Sequence, residues 1–220
     1  MAAEKRLILL GAPGVGKGTQ AKRLSGQFGW AHISTGDMLR DAMHSRTDLG
    51  EKVKSVVERG DLVPDDMMIE LVGQRLAQPD CRKGFILDGF PRTVAQAEQL
   101  DVLLGSLGAG LDGVLSIDVD KEEIIDRLAR RFECMACGPV KVGSPKSEAV
   151  CPRCGGPVSR RKDDEPVTVR HRLTVYEDRT RSLIMHYRSK KLLKSIDGEG
   201  TVDEVYERML DVLDLPKTTR

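Results

Sequence analysis

Aromatic residues make up only 4% of this 220-residue chain, which has one Trp, three Tyr and four Phe. Binding to single-stranded nucleic acid calls for stacking platforms along a basic groove, and few such platforms exist here. An excess of either charge is missing too: 35 Lys and Arg face 34 Asp and Glu, for a net charge of +1. No overall field is left to hold nucleic acid or a membrane surface, so any basic chemistry has to be local. Long apolar runs are also absent. The start MAAEKRLILL offers only Leu7 to Leu10 ahead of Gly11, too short for a signal-peptide core or a membrane span. The expectation is a cytoplasmic protein whose partners are neither membranes nor nucleic acids.

Cysteine is scarce as well, five in all, yet four of them form two CxxC pairs, Cys134/Cys137 and Cys151/Cys154. Cytoplasmic thiols stay reduced, which favours metal ligands over disulfides. From Cys134 to Arg160 there is no Leu, Ile, Phe, Tyr or Trp, but there are four Gly and four Pro. Such a stretch cannot bury enough apolar surface to order itself. Four thiolates, with 13 residues between the pairs, can close a tetrahedral zinc site with no position left for catalytic water. Its job would be to fold a lobe that lacks a core. A redox dithiol would need only one CxxC, and a zinc ribbon that binds nucleic acid would want basic charge. Cys81 stands alone and reads as a small buried hydrophobe.

What the chain does contain suits one main α/β domain with small insertions. Apolar runs at Leu7 to Leu10, Phe85 to Leu87, Val114 to Val119 and around Ile196 alternate with helical patterns, which argues for a parallel sheet covered by helices. Val169, Leu173, Tyr176, Thr180, Leu183, Ile184 and Tyr187 form one stripe at helical spacing, expected to pack on the sheet. Between Ser34 and Val63 lie two short helical patterns, with Ser34 and Asp48 each placed as the cap of a capping box.

The densest signal is GAPGVGKGT, Gly11 to Thr19, set between an apolar strand and a helix marked by Ala21, Leu24 and Phe28. Glycines there let successive N–H groups turn inward around phosphate at the positive end of a helix, and Lys17 supplies a mobile charge. Gly18 follows the lysine and the hydroxyl comes one residue later, at Thr19, than in the general P-loop form. Arg127 and Arg131 share a face beside Ile124, Ile125 and Leu128, while Arg161 and Arg172 lie beyond the cysteine segment.

This loop, followed in order by STGDMLR, GDLVPDD, GFILDGFPRT and RKDD, resembles the nucleoside monophosphate kinases, and among them the adenylate kinases of the long-lid, zinc-containing branch. The resemblance implies a three-layer P-loop kinase fold with a parallel sheet. Its core would be residues 1–33, 64–130 and 165–220, with a helical acceptor lobe at 34–63 and a zinc lid at 131–164. It implies reversible transfer from ATP to AMP giving two ADP, with Mg2+ accompanying ATP, and a monomer. Donor contacts would come from Gly14, Val15, Gly16, Lys17, Gly18, Thr19, Arg127, Arg131 and Gly200. Acceptor contacts would come from Thr35, Arg40, Asp61, Leu62, Val63, Gly89, Arg92, Gln96, Arg161 and Arg172. Lys17, Arg92, Arg127, Arg131, Arg161 and Arg172 would be catalytic, Asp88 would reach magnesium through water, and Cys134, Cys137, Cys151 and Cys154 would hold zinc. The acceptor is a phosphate with a second pKa near ~6, so it arrives deprotonated and needs no base. Accordingly His32, His44, His171 and His186 are given no role. In the family an aromatic residue is frequent near Val140, and none stands there in this chain. The alternatives are another monophosphate kinase, using GTP or accepting UMP or CMP, and a P-loop ATPase with a nucleic-acid-binding ribbon.

Overall fold

The computed structural model describes residues 4–134, 136, 138–141, 150–151 and 154–217. Five strands form a parallel sheet: β1 (Arg6–Leu10), β2 (Ala31–Ser34), β3 (Phe85–Asp88), β4 (Gly113–Asp118) and β8 (Leu193–Asp197), in the order β2-β3-β1-β4-β8. Helices cover both faces, which explains the unbroken apolar run of β1. Ile8 and Leu10 enter one core cluster, while Leu7 and Leu9 enter the other. The first cluster is completed by α2 (Thr35–His44), α3 (Asp48–Arg59), α4 (Asp65–Leu76) and α5 (Val94–Ser106). The second contains α1 (Lys17–Phe28), α6 (Lys121–Ala129) and α9 (Val202–Val212), with the single Trp30 stacked on Phe28. Among the described residues no helix is long and apolar enough to cross a membrane.

The expected strands are present, and β2 is an addition. Its sequence AHIS is short and half polar, and it pairs along β3 from Ala31 opposite Phe85 to Ser34 opposite Asp88. Ser34 caps α2 as expected, its hydroxyl accepting from the Asp37 N–H, although the Asp37 carboxylate turns to Arg40. At α3 the cap is Thr47, not Asp48: the Thr47 hydroxyl accepts from Gly50 N–H at 3.1 Å and donates to Ala42 O. Thr47 wins because one hydroxyl both caps α3 and closes the end of α2, leaving Asp48 in the first turn where the helix dipole favours an acid.

The long apolar stripe does not stay on one face. Helices α7 (Pro166–Val175) and α8 (Ser182–Ser189) are joined by a π-turn at Tyr176–Thr180, where Arg181 N–H bonds to Tyr176 O. A wider turn rotates the helix face. Val169 and Leu173 therefore pack in the second cluster and Leu183 and Tyr187 in the first. A separate antiparallel sheet, β6-β5-β7, contains β5 (Arg131–Cys134), β6 (Gly138–Lys141) and β7 (Val158–Ser159). Among the described residues its apolar cluster holds Cys134 and Cys151 with Phe132 and Val158. Cys81 is buried, and burial pushes its thiol up to about 11, but its sulfur is not without contacts, since Arg75 donates to it at 3.1 Å.

Candidate active site

The glycine loop after β1, the start of STGDMLR after β2 and the DGFPRT turn after β3 lie at the C-terminal edge of the parallel sheet, where α/β folds bind ligands. After Leu10 the chain turns through Gly14 and Gly16, at φ 93° and 106°, into the N-terminus of α1. Left-handed backbone there turns the N–H groups inward and suits glycine. Lys17 folds back over this loop, its Nζ donating to Gly11 O at 2.7 Å and Ala12 O at 2.9 Å. Gly18 lies against Asp88, so close that a Cβ would stand 3.1 Å from Oδ2. Thr19 is exposed in the first turn of α1. Arg127 ties this loop to the one following β8, donating to Val15 O at 3.3 Å and Gly198 O at 3.2 Å, which places the 198–200 turn, with Gly200 at φ 96°, beside the glycine loop.

On the other side of Asp88, Thr35, Arg40, Gly89, Arg92, Gln96 and Arg172 line one pocket with Asp61, Leu62 and Val63. Gly89 has to be a glycine: at φ 84° any Cβ would press to 2.9 Å from the Thr35 hydroxyl and 3.3 Å from Arg92 Nη2. A cis peptide joins Phe90 and Pro91. Arg92 Nε donates to Gly89 O at 2.8 Å. Arg161 does not line this pocket; it sits just above, pairing with Glu133 at 3.1 Å and approaching Asp37 at 4.0 Å. A separate open cleft at the ends of β4 and β8 is lined by Asp118, Asp120, Asp197 and Glu199, a charge that repels phosphate.

The cations form one electrostatic cluster. Burial pushes Lys17 down to about 8; Asp88 opposes this, while Arg92, Arg172 and Arg131 push it further. Burial likewise takes Arg92 to about 10, helped by Arg172. Among the described residues neither Lys17 nor Arg92 has a carboxylate within ion-pair distance. Arg131 and Arg172 do: both bond the fully buried Asp164, and Arg172 also pairs with Asp163 at 3.0 Å. Burial pushes Asp163 up, but Arg172, Arg131, Arg40 and Arg161 outweigh it and hold the carboxyl below its usual range.

These acids are the site members that sequence reasoning missed. In RKDD the pattern points to Arg161, whereas it is Asp163 and Asp164 that anchor Arg131 and Arg172, and the adjacency of the two acids is the signal for them. Glu133 gives no signal, because its contact with Arg161 exists only in three dimensions, and Asp37, which the capping-box pattern marks as a helix-start acid, gives none of its approach to Arg161. Two of the unassigned histidines also touch site residues, His32 Nε2 standing 3.3 Å from Asp88 and His171 Nε2 2.6 Å from Asp61.

The Sγ atoms of Cys134, Cys151 and Cys154 lie within 4.8 Å of one another. Zn–S bonds of ~2.3 Å put thiolates at about this separation, so the residues fit zinc. Ala136 N–H points to Cys134 Sγ at 3.4 Å, the kind of backbone donor that steadies a thiolate. The expected fourth ligand, Cys137, lies outside the described residues.

A family model described as Adenylate kinase matches residues 9–192. The adenylate kinase of Carboxydothermus hydrogenoformans is 48% identical over 211 residues, spanning 94% of this chain and 99% of the relative. That of Caldicellulosiruptor saccharolyticus is 47% identical over 211 residues, 94% of this chain and 98% of the relative. That of Archaeoglobus fulgidus is 46% identical over 215 residues, 96% of this chain and 99% of the relative. The match of the family model over residues 9–192, and relatives 46–48% identical along nearly the whole chain, place it in the adenylate kinase family.

Proposed function

We propose that the chain transfers the terminal phosphoryl group of magnesium-ATP reversibly and in line to AMP, giving two ADP without a covalent intermediate. The observation that carries this reading is the pair of half-buried cations, Lys17 and Arg92, both pushed down by desolvation, which feel the charge of Asp88 but, among the described residues, form no ion pair with a carboxylate. Burying cations costs several kcal/mol unless an anion offsets it, and a polyphosphate bridging the two is such an anion. In this reading the backbone of Gly14, Val15, Gly16, Gly18 and Thr19 cradles the donor phosphates, with Arg127 and Gly200 along the donor nucleoside. Arg40 and Arg92 hold the acceptor phosphate; Thr35, Gly89, Gln96 and residues 61–63 hold its nucleoside. Lys17 and the guanidiniums of Arg92, Arg127, Arg131, Arg161 and Arg172 spread the charge that builds on the equatorial oxygens. Magnesium would arrive with ATP as part of the substrate, and in this reading Asp88, which lies beside Gly18, would hold a water of its shell.

Residues 34–63 form the acceptor lobe and residues 131–164 the lid, which excludes the water that would otherwise take the phosphoryl group. Support comes from contacts that already join the two, Lys162 to Glu58 at 3.0 Å and Arg161 toward Asp37. Zinc on Cys134, Cys137, Cys151 and Cys154 would supply folding energy only, to a lobe whose apolar cluster, among the described residues, is two of these cysteines with Phe132 and Val158. Freshly purified protein should therefore contain about one zinc per chain by elemental analysis. Chelation or Cys151→Ser should melt the β5-β6-β7 lobe at lower temperature while the circular dichroism of the main sheet persists. Metal-free protein with an unchanged melting curve refutes the zinc assignment.

A pH dependence follows from Lys17. The triphosphate raises an ammonium pKa, so between about 8 and the ordinary 10.5 the complex holds more protons than the free chain. ATP binding takes up a proton in that window, and affinity falls as pH rises through about 8, by up to tenfold per unit. Calorimetry at pH ~9 in two buffers of different ionisation enthalpy measures this uptake; its absence contradicts the placement of Lys17.

The adenylate kinase match along residues 9–192 leaves the ATPase-with-ribbon alternative without a feature of its own. The other monophosphate kinases are separated by a coupled assay of ATP, GTP, CTP and UTP against AMP, GMP, CMP and UMP. ATP with AMP is the expected best pair, and preference for UMP over AMP overturns the assignment.

A further inference from the structure

Asp65, the first residue of α4, belongs to none of the roles given above, yet both its oxygens are committed to the pocket wall. Its Oδ1 accepts from Gln96 Nε2 at 2.6 Å and its Oδ2 from the Thr93 hydroxyl at 2.9 Å. At the other end of the same amide, Gln96 Oε1 accepts from Arg92 N–H at 2.7 Å. Gln96 is only 1% exposed and lines the pocket beside Thr35, Leu39, Val63 and Met68. A carboxylate can only accept and a backbone N–H can only donate, so the two neighbours together fix which end of the amide is oxygen and which is nitrogen. One N–H and one lone pair of Gln96 are then left over, side by side and in fixed order.

That order is a code for the six-membered edge of a purine. A 6-aminopurine offers an acceptor at N1 and a donor at its amino group, which complements a donor and an acceptor held in this order. A 6-oxopurine offers N1–H and a carbonyl, which sets donor against donor and acceptor against acceptor. We propose that Asp65 is a positioning residue that locks the Gln96 amide in the orientation selecting 6-amino over 6-oxopurine monophosphates. The proposal rests on the reading of this pocket as the acceptor site. The same lock links base to phosphate, because the residue that donates to Gln96 Oε1 is Arg92.

The test measures steady-state kinetics of the full chain with AMP and IMP as acceptors. In Asp65→Ala the amide keeps one anchor of two. KM for AMP should rise about tenfold, KM for ATP should stay within about twofold, and the AMP to IMP ratio of kcat/KM should fall at least about tenfold. Asp65→Asn retains an acceptor oxygen facing Gln96 and should keep that ratio within about threefold of the unmodified chain. If Asp65→Ala does not fold, Asp65→Ser carries the same expectation, being too short to reach Gln96 while still suiting the start of a helix. An AMP to IMP ratio unchanged in the Ala or Ser variant, with only the melting temperature lowered, overturns the proposal and leaves the acceptor reading standing. Indifference of the unmodified chain to AMP or IMP sinks that reading and the proposal with it.

Discussion

Replacing Lys17 with methionine should lower kcat by about three orders of magnitude, the scale of removing one preorganised charge from a phosphoryl-transfer site. The same change should leave the melting temperature unchanged or slightly raised. Both halves come from one fact: burial pushes the Lys17 ammonium down to about 8, with Arg92, Arg172 and Arg131 adding to the push, so the free protein holds this cation at a cost. Methionine matches the stem, loses the bonds to Gly11 O and Ala12 O and the attraction of Asp88, and removes the desolvation cost and the repulsion of the arginines. A kcat within about tenfold of the unmodified chain would show that the charge is not used in the transition state. A collapse of stability would show instead that Lys17 is there to brace the loop.

Asp164→Ala should do the reverse, damaging stability first. Its carboxylate is fully buried and bonds Arg131 through two nitrogens and Arg172 at 3.1 Å. Removing one member of a buried ion cluster leaves the others uncompensated, at a cost of about 3–5 kcal/mol, or a melting temperature lower by on the order of 10 °C for a chain of this size. The two arginines also lose the anchor that aims them, and about 100-fold in kcat should go with it. Arg131 opens β5 and Arg172 lies on α7, so Asp164 is the point where the small sheet is fastened to the main body. A variant with normal melting and normal turnover would contradict this arrangement.

The parts legible in the sequence are those whose physics is local. LILL announces a strand covered on both faces, GAPGVGKGT its phosphate loop, and DGFPRT a turn that only glycine can make at Gly89. The less legible parts depend on neighbours far along the chain. β2 is too short and too polar for its pattern to register, and it is a strand because β3 supplies its partner. Thr47 displaces Asp48 as cap because its hydroxyl also reaches back to Ala42 O. The π-turn at Tyr176–Thr180 leaves the helical spacing intact and changes only the face on which it lands. Most of the arginines of the site could be named, but not the carboxylates that hold them. A guanidinium in a phosphate motif has one plausible use, whereas Glu133 looks like any solvated acid until the fold brings it to Arg161, and Asp65 and Asp164, though they stand inside motifs, give no sign in the sequence of the partners they take.

The central claim is that the glycine loop and the arginine pocket open into one interior. The direct measurement is a crystal structure with a bisubstrate analogue that joins two adenosines through five phosphates. One analogue should span the site per chain, its phosphate run lying between Lys17 and Arg92 with Arg131, Arg161 and Arg172 around it and one adenine beside Gln96. Two analogues bound in separate clefts, or a phosphate run that leaves Arg92 untouched, would contradict the account.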